Sequence, residues 1–452
     1  MCDNYRGISV LSPIAKIFER ILCADITKYF VENQLFSDSQ HGFRSKRSCE
    51  TALQTILDKW KLSIEAKRII LALFIDFKKA FDLIDPSILF LKLFHYGFDN
   101  TALNLIRNYF SNRAQVTKIK NKYSGKMPLI RGIPQGSIFG PLLFIIFIND
   151  LALILDSYLE SILFADDTSL YDDDLSYNSL ISRFRDKFAI LFAWINHNKL
   201  FLNWSKTKFM IINSKNPSAR RPRNIELENN LIEVVSEFKL LGCFIDDKLS
   251  FDKHVSNLKA NVCRKLFAIK NIFFLSPDIK LHFFKTFLLP HFDYCASLFI
   301  YFSKTLINKL QKLYNLCLFV LLRLELNNIS CEEQQVILKP LNILPFKYRL
   351  LLRFSFFSHK IMNGEILNNI KNTLTPNSNP CNTRVGTRNL YIVPLFRTQC
   401  GGKRLSVVLP IMLNKVLRFS SNLTLKDFKE FVLSNLSKLY INFSKFILID
   451  SD

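Results

Sequence analysis

No two of the ten cysteines stand in C-x-x-C spacing; they are scattered at Cys2, Cys23, Cys49, Cys243, Cys263, Cys295, Cys317, Cys331, Cys381 and Cys400. That pattern argues against a zinc knuckle or ribbon. No secretory leader precedes them. Met1 runs into a polar turn, Asp3-Asn4-Tyr5-Arg6-Gly7, so a reducing intracellular setting and no separate N-terminal domain are expected. A clean membrane span is also missing. The most apolar stretch, residues 138–155, is interrupted by Pro141 and by Asn149 and Asp150, which would be costly in lipid, so a buried helix is expected there. No internal repeat is visible. Acidic residues are in short supply: 38 Asp and Glu face 61 Lys and Arg, a net charge of +23. This excess favours a polyanionic partner through phosphate neutralisation, with an anionic membrane surface as the competing reading.

What is present is globular. Of 452 residues 49% are hydrophobic, and Phe occurs 43 times, enough to build two to four cored units. Ser12-Pro13 starts a helix whose apolar residues Ile14, Ile17 and Ile21, with Phe18 and Leu22, recur at helical spacing. A basic loop follows at 37–48, then a helix at 49–60. Residues 69–77 (IILALFIDF) read as a central strand buried on both faces and ending in Asp76. Helices are expected at 86–96 and 101–110, and a turn-rich loop at 132–137 (GIPQGS). Residues 161–171 (SILFADDTSLY) have strand-like arms around Asp166-Asp167, the pattern of a hairpin. Asp172-Asp173-Asp174 are expected to open an amphipathic helix bearing Leu180, Phe184, Phe188, Leu191 and Ile195. Strands are expected at 206–212 and 238–245, and a basic helix at 254–274 with Lys259, Arg264, Lys265 and Lys270 around an apolar stripe. Residues 373–387, rich in Asn, Pro and Thr, read as a linker. Arg220-Arg221-Pro222-Arg223 is too short a cluster to specify nuclear import.

Three carboxylates therefore fall at strand ends or a hairpin tip: Asp76, Asp166 and Asp167. Phosphoryl transfer from a nucleoside triphosphate uses two divalent ions about 3.5–4 Å apart, and hard Mg²⁺ prefers oxygen ligands. Asp-Asp alone is a common turn dipeptide, and Asp246-Asp247 in FIDDKL reads as such a turn. The apolar arms around Asp166-Asp167, and its place after a buried strand and a glycine loop, distinguish it.

Here the sequence resembles the reverse transcriptases of LINE-type, non-LTR retrotransposons, in particular the jockey-like group. The stretches that carry the resemblance are NYRGISVLSPIAKIFERIL, QHGFRSKRSCETAL, FIDFKKAFDLID, GIPQGSIFGPLLFIIFINDL, LFADDTSLY, LNWSKTKFMI and FKLLGCFID, in the family's order over about residues 3–250. Further on, NTRVGTRNLYIVP and NLTLKDF fit more loosely. The resemblance implies an α+β, right-handed polymerase fold: partial fingers and palm over 1–250, a thumb-like helical region over 251–340, and a mostly helical C-terminal region of unknown role over 341–452. It implies RNA-directed DNA synthesis on an RNA template from a DNA primer and dNTPs, with two Mg²⁺ ions (Mn²⁺ as a substitute) and a nuclear setting, and no membrane partner.

It also implies roles for single residues. Asp76, Asp166 and Asp167 are the metal ligands. Phe81 matches the aromatic gate that rejects a ribose 2′-hydroxyl. Gln135 and Gly136 match the loop against the incoming nucleotide and template, and Arg44 lies in the segment that grips the triphosphate. Lys206 matches the lysine that protonates leaving pyrophosphate. Leu240, Leu241 and Gly242 match the primer grip. The sequence departs from the family in having Gly7 where proline is usual, and in lacking the preceding fingers segment, the endonuclease, an RNase H constellation and the cysteine-histidine knuckle. A 5′-truncated element copy is therefore expected. An active polymerase and a nucleic-acid-binding remnant without catalysis are the two readings; a group II intron maturase fits the flanking stretches less well.

Overall fold

The computed structural model describes residues 8–155, 159–212, 222–269, 274–366, 374–377, 390–417 and 423–446. Arg220, Arg221, Lys270 and most of the expected linker at 373–387 lie outside the described residues. The chain divides into two compact units: Met1–Ser45, Leu71–Ile211 and Arg220–Val235 in one, and Lys46–Ile70, Ile212–Ala219 and Ser236–Asp452 in the other.

In the first unit, α1 (Pro13–Glu32) begins where Ser12 Oγ accepts the Ala15 N–H at 3.1 Å. Its N-terminal apolar residues do not form a core face. Ile14, Ile17, Phe18 and Ile21 are exposed, whereas Glu19, Ile26 and Phe30 are buried. Helix α2 (Cys49–Glu65) belongs to the second unit. Strand β1 (Ile69–Ile75) is the buried strand expected, flanked on both sides in a sheet ordered β6-β7-β1-β8. Its partners are β6 (Glu160–Phe164), β7 (Asp167–Asp174) and β8 (Lys208–Ile212). Between them lie α3 (Pro86–His95) and α4 (Asn100–Phe110), then an exposed ribbon in which β2 (Ala114–Gln115) pairs with β5 (Met127–Pro128) and β3 (Lys118–Ile119) with β4 (Lys122–Tyr123). The apolar stretch at 138–155 is two helices, α5 (Phe139–Phe147) and α6 (Asn149–Leu155). Among the described residues no helix is long and apolar enough to cross a membrane.

The polar pair that interrupts this stretch is fully used. Asn149 donates to Leu35 O (2.8 Å) and accepts the Ser37 N–H (2.9 Å). Asp150 accepts from Lys92 Nζ at 2.8 Å and from Trp194 Nε1 at 3.1 Å, while the Lys92 ammonium also bonds Phe147 O at 2.6 Å. It lies over the Phe147 and Trp194 rings. Burial depresses the Lys92 pKa, against the pull of Asp150. Removing one member of a buried pair costs about 3–5 kcal/mol. The Asp150 side chain is 35% exposed, which discounts that figure. Lys92→Met is therefore expected to lower stability by about 1–3 kcal/mol, read as a lower urea midpoint at unchanged slope.

Helix α7 (Tyr177–His197) buries Leu180, Phe184, Phe188, Leu191 and Ile195, with Phe184 edge-on to Phe209 of β8 at 5.5 Å. The three aspartates before it are not its first turn. They end β7, and Ser176 caps the helix. Arg183 binds Asp172 at 2.8 Å and Asp174 at 2.6 Å, and Lys187 binds Asp172 at 2.8 Å. A strand suits them because cations on α7 neutralise their charge from one side. Burial pushes the Asp172 carboxyl up, but Arg183 and Lys187 outweigh it and hold the pKa low. Arg183 holds Asp174 down to about 2. Depressed carboxylates contribute stability above their unfolded pKa of about 3.9 that is lost as pH falls through the folded values. Arg183→Met should therefore lower stability at neutral pH, where the paired carboxylates contribute fully, and flatten the fall in stability between about pH 4 and 2; melts from pH 7 down through that range check it. The unit closes with a hairpin of β9 (Asn224–Leu227) and β10 (Asn230–Glu233).

The second unit holds a hairpin of β11 (Glu237–Leu240) and β12 (Cys243–Asp246), where a single strand over 238–245 was expected. The two loop residues, Leu241 and Gly242, have φ of +44° and +83°. Left-handed φ at both loop positions is the hairpin turn that matches strand twist, and leucine there gives no sequence signal. The Asp246 carboxylate accepts backbone N–H groups from Lys248 (3.0 Å), Ser250 and Phe251 (both 2.9 Å), so Asp246-Asp247 is indeed a structural turn. Then follow α8 (Asp252–Ile269), α9 (Pro277–Phe283), α10 (Leu289–Asp293), α11 (Lys304–Leu322), α12 (Cys331–Leu338), α13 (Phe346–Met362) and helices at Leu405–Ile411, Leu425–Ser434 and Leu436–Phe446. Helix α8 buries Val255, Leu258, Val262 and Leu266, as its apolar stripe predicts. Polar contacts tie α2 into this unit: Gln54 bonds Ser297 Oγ and Tyr301 OH at 2.8 and 2.6 Å, and Asp58 accepts from Ser406 N at 2.9 Å.

Candidate active site

Asp76 follows β1 directly, so the most buried strand of the sheet fixes its backbone. The neighbouring segment 201–203 pairs with it: Lys78 N–H donates to Phe201 O, and Asn203 N–H to Asp76 O, both at 2.8 Å. The Asp76 carboxylate is half-buried. Its Oδ2 accepts from Asn203 Nδ2 at 2.8 Å and faces the exposed Lys206 ammonium at 3.7 Å.

Asp166 sits at the tip of the β6–β7 hairpin. Phe164 pairs with Asp167, leaving a two-residue turn of Ala165 and Asp166. Ala165 has φ of +55° and is buried. That conformation is unfavourable for a residue with a Cβ and persists only when its surroundings hold it. Residues 39–42 hold it here. Gln40 pairs in parallel with Leu163 along the edge of β6, with His41 N–H to Leu163 O at 2.7 Å and Leu163 N–H to Ser39 O at 2.9 Å. Gln40 Oε1 accepts from Ala165 N at 3.1 Å and from Gly42 N at 2.8 Å. A Cβ on Gly42 would lie 2.3 Å from Ala165 N, so only glycine permits this approach.

Phe81 lies in a short 3₁₀ turn (Ala80–Leu83) and stacks on Phe144, with centroids 4.4 Å apart and planes at 16°. The 132–136 loop is strapped to this turn: Ile133 N–H donates to Phe81 O at 2.9 Å, and Gln135 Nε2 to Asp82 Oδ1 at 3.0 Å. Ser9 lies against the loop, its N–H donating to Gln135 O at 2.7 Å, and its carbonyl oxygen would stand 2.9 Å from a Cβ on Gly136. Buried Glu19 accepts the Ile138 N–H at 2.7 Å and the Tyr109 hydroxyl at 2.6 Å, fixing the far end of the loop.

These pieces enclose one cavity of about 770 Å³ whose lining includes Asp76, Phe81, Gln135, Gly136, Asp166 and Lys206, together with Asp82 and Asn203. Six of the expected site residues thus meet there. Asp167 is exposed at the start of β7 and is not part of the lining. Arg44 does not line it either; its guanidinium donates to the carbonyls of Ser37 and Gln40 and lies over the Phe36 ring. Leu240, Leu241 and Gly242 belong to the second unit, where the Tyr294 hydroxyl donates to Leu241 O at 2.6 Å. The weak signal that could have singled out Gln40, Gly42, Asp82 and Asn203 is their place beside residues already singled out.

Among the described residues no group of three or more His, Cys, Asp or Glu side chains stands ready to hold a metal ion. The cavity's own donors are nevertheless of one kind. Its acidic side chains are carboxylates and none of its lining residues is His or Cys, a set suited to a hard, partly hydrated cation rather than to zinc or copper.

The sequence profile of the family described as reverse transcriptase (RNA-dependent DNA polymerase) matches residues 2–245. Among curated proteins, the chain is 26% identical over 320 residues to a probable RNA-directed DNA polymerase from transposon X-element of Drosophila melanogaster, covering 69% of this chain and 35% of that one. It is 24% identical over 326 residues to the RNA-directed DNA polymerase from mobile element jockey of the same organism, covering 68% and 34%. The chain thus spans about a third of the length of these relatives. Among solved structures, a Candida albicans telomerase in complex with a fragment of telomeric RNA aligns over 76% of this chain and 53% of its own, at 11% identity and a TM-score of 0.39, a likeness too slight to support any argument.

Proposed function

The chain belongs to the reverse transcriptase (RNA-dependent DNA polymerase) family, and from this premise we propose that it is the polymerase of a non-LTR retrotransposon, copying RNA into DNA at the cavity between Asp76, Phe81, Gln135 and Asp166. The observation that carries the reading is the convergence of Asp76 and Asp166, brought from segments about 90 residues apart onto one cavity with Phe81, Gln135 and Lys206. Palm and partial fingers are assigned to 1–250, a thumb-like region to 251–340, and no role to 341–452. A nuclear setting follows from the reading, since the product must reach chromosomal DNA.

In the reaction the primer 3′-oxygen displaces pyrophosphate from the α-phosphorus of a dNTP. Asp76, Asp166 and Asp167, the first residue of β7, would hold two Mg²⁺ ions, for which Mn²⁺ can substitute. Bound there, such ions would lower the pKa of the attacking hydroxyl and neutralise charge on the leaving group. Asn203 orients the Asp76 carboxylate by its 2.8 Å bond. Lys206, whose exposed ammonium stands 3.7 Å from Asp76 Oδ2, supplies a proton to pyrophosphate. Gln135, anchored on Asp82, presents its loop to template and nucleotide, and Phe81, which lines the cavity, would bound the sugar. Arg44 would grip the triphosphate only after leaving its carbonyl partners. The Leu240–Gly242 turn would brace the primer end, and the excess of cations would follow the nucleic-acid backbone.

The test is primer extension on poly(rA)–oligo(dT) with dTTP and Mg²⁺, wild type beside Asp166→Asn. Extension by wild type alone is expected. Failure of both, with primer-template still bound, would leave a nucleic-acid-binding remnant.

A further inference from the structure

We propose that Gln40 is a positioning residue for Asp166, and that its amide oxygen, acting through the Ala165–Asp166 turn, sets how tightly the site binds its divalent cation. The inference rests on the polymerase reading of the cavity, but it concerns a residue outside the lining.

Two facts make the turn dependent on Gln40. The hairpin's own pairing ends at Phe164 and Asp167, so the Ala165 N–H lies beyond it and goes to Gln40 Oε1 at 3.1 Å. Ala165 also holds a φ of +55°, which the bare hairpin would not favour for alanine. The same oxygen accepts the Gly42 N–H at 2.8 Å, which ties the clamp back to its own segment. Gln40 is buried and its Nε2 has no hydrogen-bond partner. The orientation of the amide is therefore set by the two N–H groups facing its oxygen, and the oxygen is the atom that matters. Asp166 is next in the chain, so this bond bears on where its carboxylate stands. Supports of this kind around metal-binding side chains are worth about 10–100-fold in affinity.

The experiment uses the whole chain and Mn²⁺ as the probe, with free Mn²⁺ followed by its EPR signal, thermal unfolding recorded alongside, and primer extension run on the same samples. Wild type is compared with Asp166→Asn, Gln40→Met, Gln40→Glu and Gly42→Ala. Gln40→Met keeps the volume and removes the acceptor, and is expected to weaken Mn²⁺ binding about tenfold or more while the protein stays folded. Gln40→Glu keeps an oxygen facing both N–H groups, which also offset the buried negative charge it introduces, so a folded Gln40→Glu should stay within about threefold of wild type. A folded Gln40→Met with wild-type affinity overturns the proposal, as does a folded Gln40→Glu that loses as much as Gln40→Met. Should Gln40→Met fail to fold, Gly42→Ala decides: its Cβ, 2.3 Å from Ala165 N, must displace the turn. Weaker Mn²⁺ binding by Gly42→Ala then supports the clamp, and unchanged binding overturns it. Wild-type Mn²⁺ binding that depends on Asp166 but yields no extension removes the polymerase reading and leaves the Gln40 result standing. Binding indifferent to Asp166 removes the inference itself.

Discussion

Asp166→Asn is expected to lower primer extension by about 10³-fold or more while primer-template affinity stays within about threefold. Asparagine is isosteric, so the two-residue turn and its bonds to Gln40 should survive, and the change is confined to one negative charge. That charge lies in the same cavity as Asp76, whose own Oδ2 is already engaged by Asn203 and faced by Lys206. With Asp166 neutral, only Asp76 and Asp167 would remain to balance the two divalent ions of the proposed reaction. The several kcal/mol of transition-state charge stabilisation such ions would supply is then lost, and each 1.36 kcal/mol is a factor of ten. Nucleic-acid affinity should hardly change, because it comes from phosphate contacts spread over a chain of net charge +23. Steady-state extension and a filter-binding or anisotropy titration on the same protein separate the two. Equal loss of extension and binding would argue that Asp166 supports the fold or the duplex and not the cation.

Much of this site could be read from local sequence. Strand β1 announced itself as an unbroken apolar run ending in an aspartate, and the β6–β7 hairpin as apolar arms around a carboxylate pair. Such signals need only the neighbours on the chain. What could not be read was settled by distant partners. The Ala165 N–H meets a side chain 125 residues earlier, and the Asp76 carboxylate is held by an asparagine 127 residues later. No periodicity encodes either contact. The same holds where local expectation failed. Ile14, Ile17 and Ile21 form a correct helical stripe, yet tertiary packing buries Glu19 instead, since its carboxylate has two donors waiting in Tyr109 and Ile138. Asp172 and Asp174 look like a helix start by charge alone, but Arg183 and Lys187, about two to three helical turns into α7, make a strand end the better place for them. The turn at Leu241-Gly242 carried no Asn-Gly or Asp-Gly signature. The position of Arg44 on the carbonyls of its own loop could not be anticipated from a basic segment, where solvation and ligand contact look alike.

The second large effect is expected at Phe81. Phe81→Val should raise ribonucleotide incorporation relative to deoxyribonucleotide by about 5–150-fold, with dTTP use retained. The ring lies flat on Phe144, 4.4 Å between centroids, and the turn beneath it is pinned by the 132–136 loop, so it has little freedom to withdraw from an added atom. Forcing an extra group against packed atoms costs about 1–3 kcal/mol, which sets the size of the discrimination this ring can supply. Valine shortens the side chain that lines the cavity and cannot reproduce the stack, so the penalty on a 2′-hydroxyl falls with it. Because the turn's backbone bonds to Ile133 do not involve the Phe81 side chain, the variant should keep the loop and its Gln135 in place. Single-nucleotide extension with dTTP and UTP, as a ratio of kcat/KM, reads the effect directly. If the ratio is unchanged while Phe81→Val lowers only stability, Phe81 serves the core through Phe144, and sugar selection must lie with another residue of the cavity.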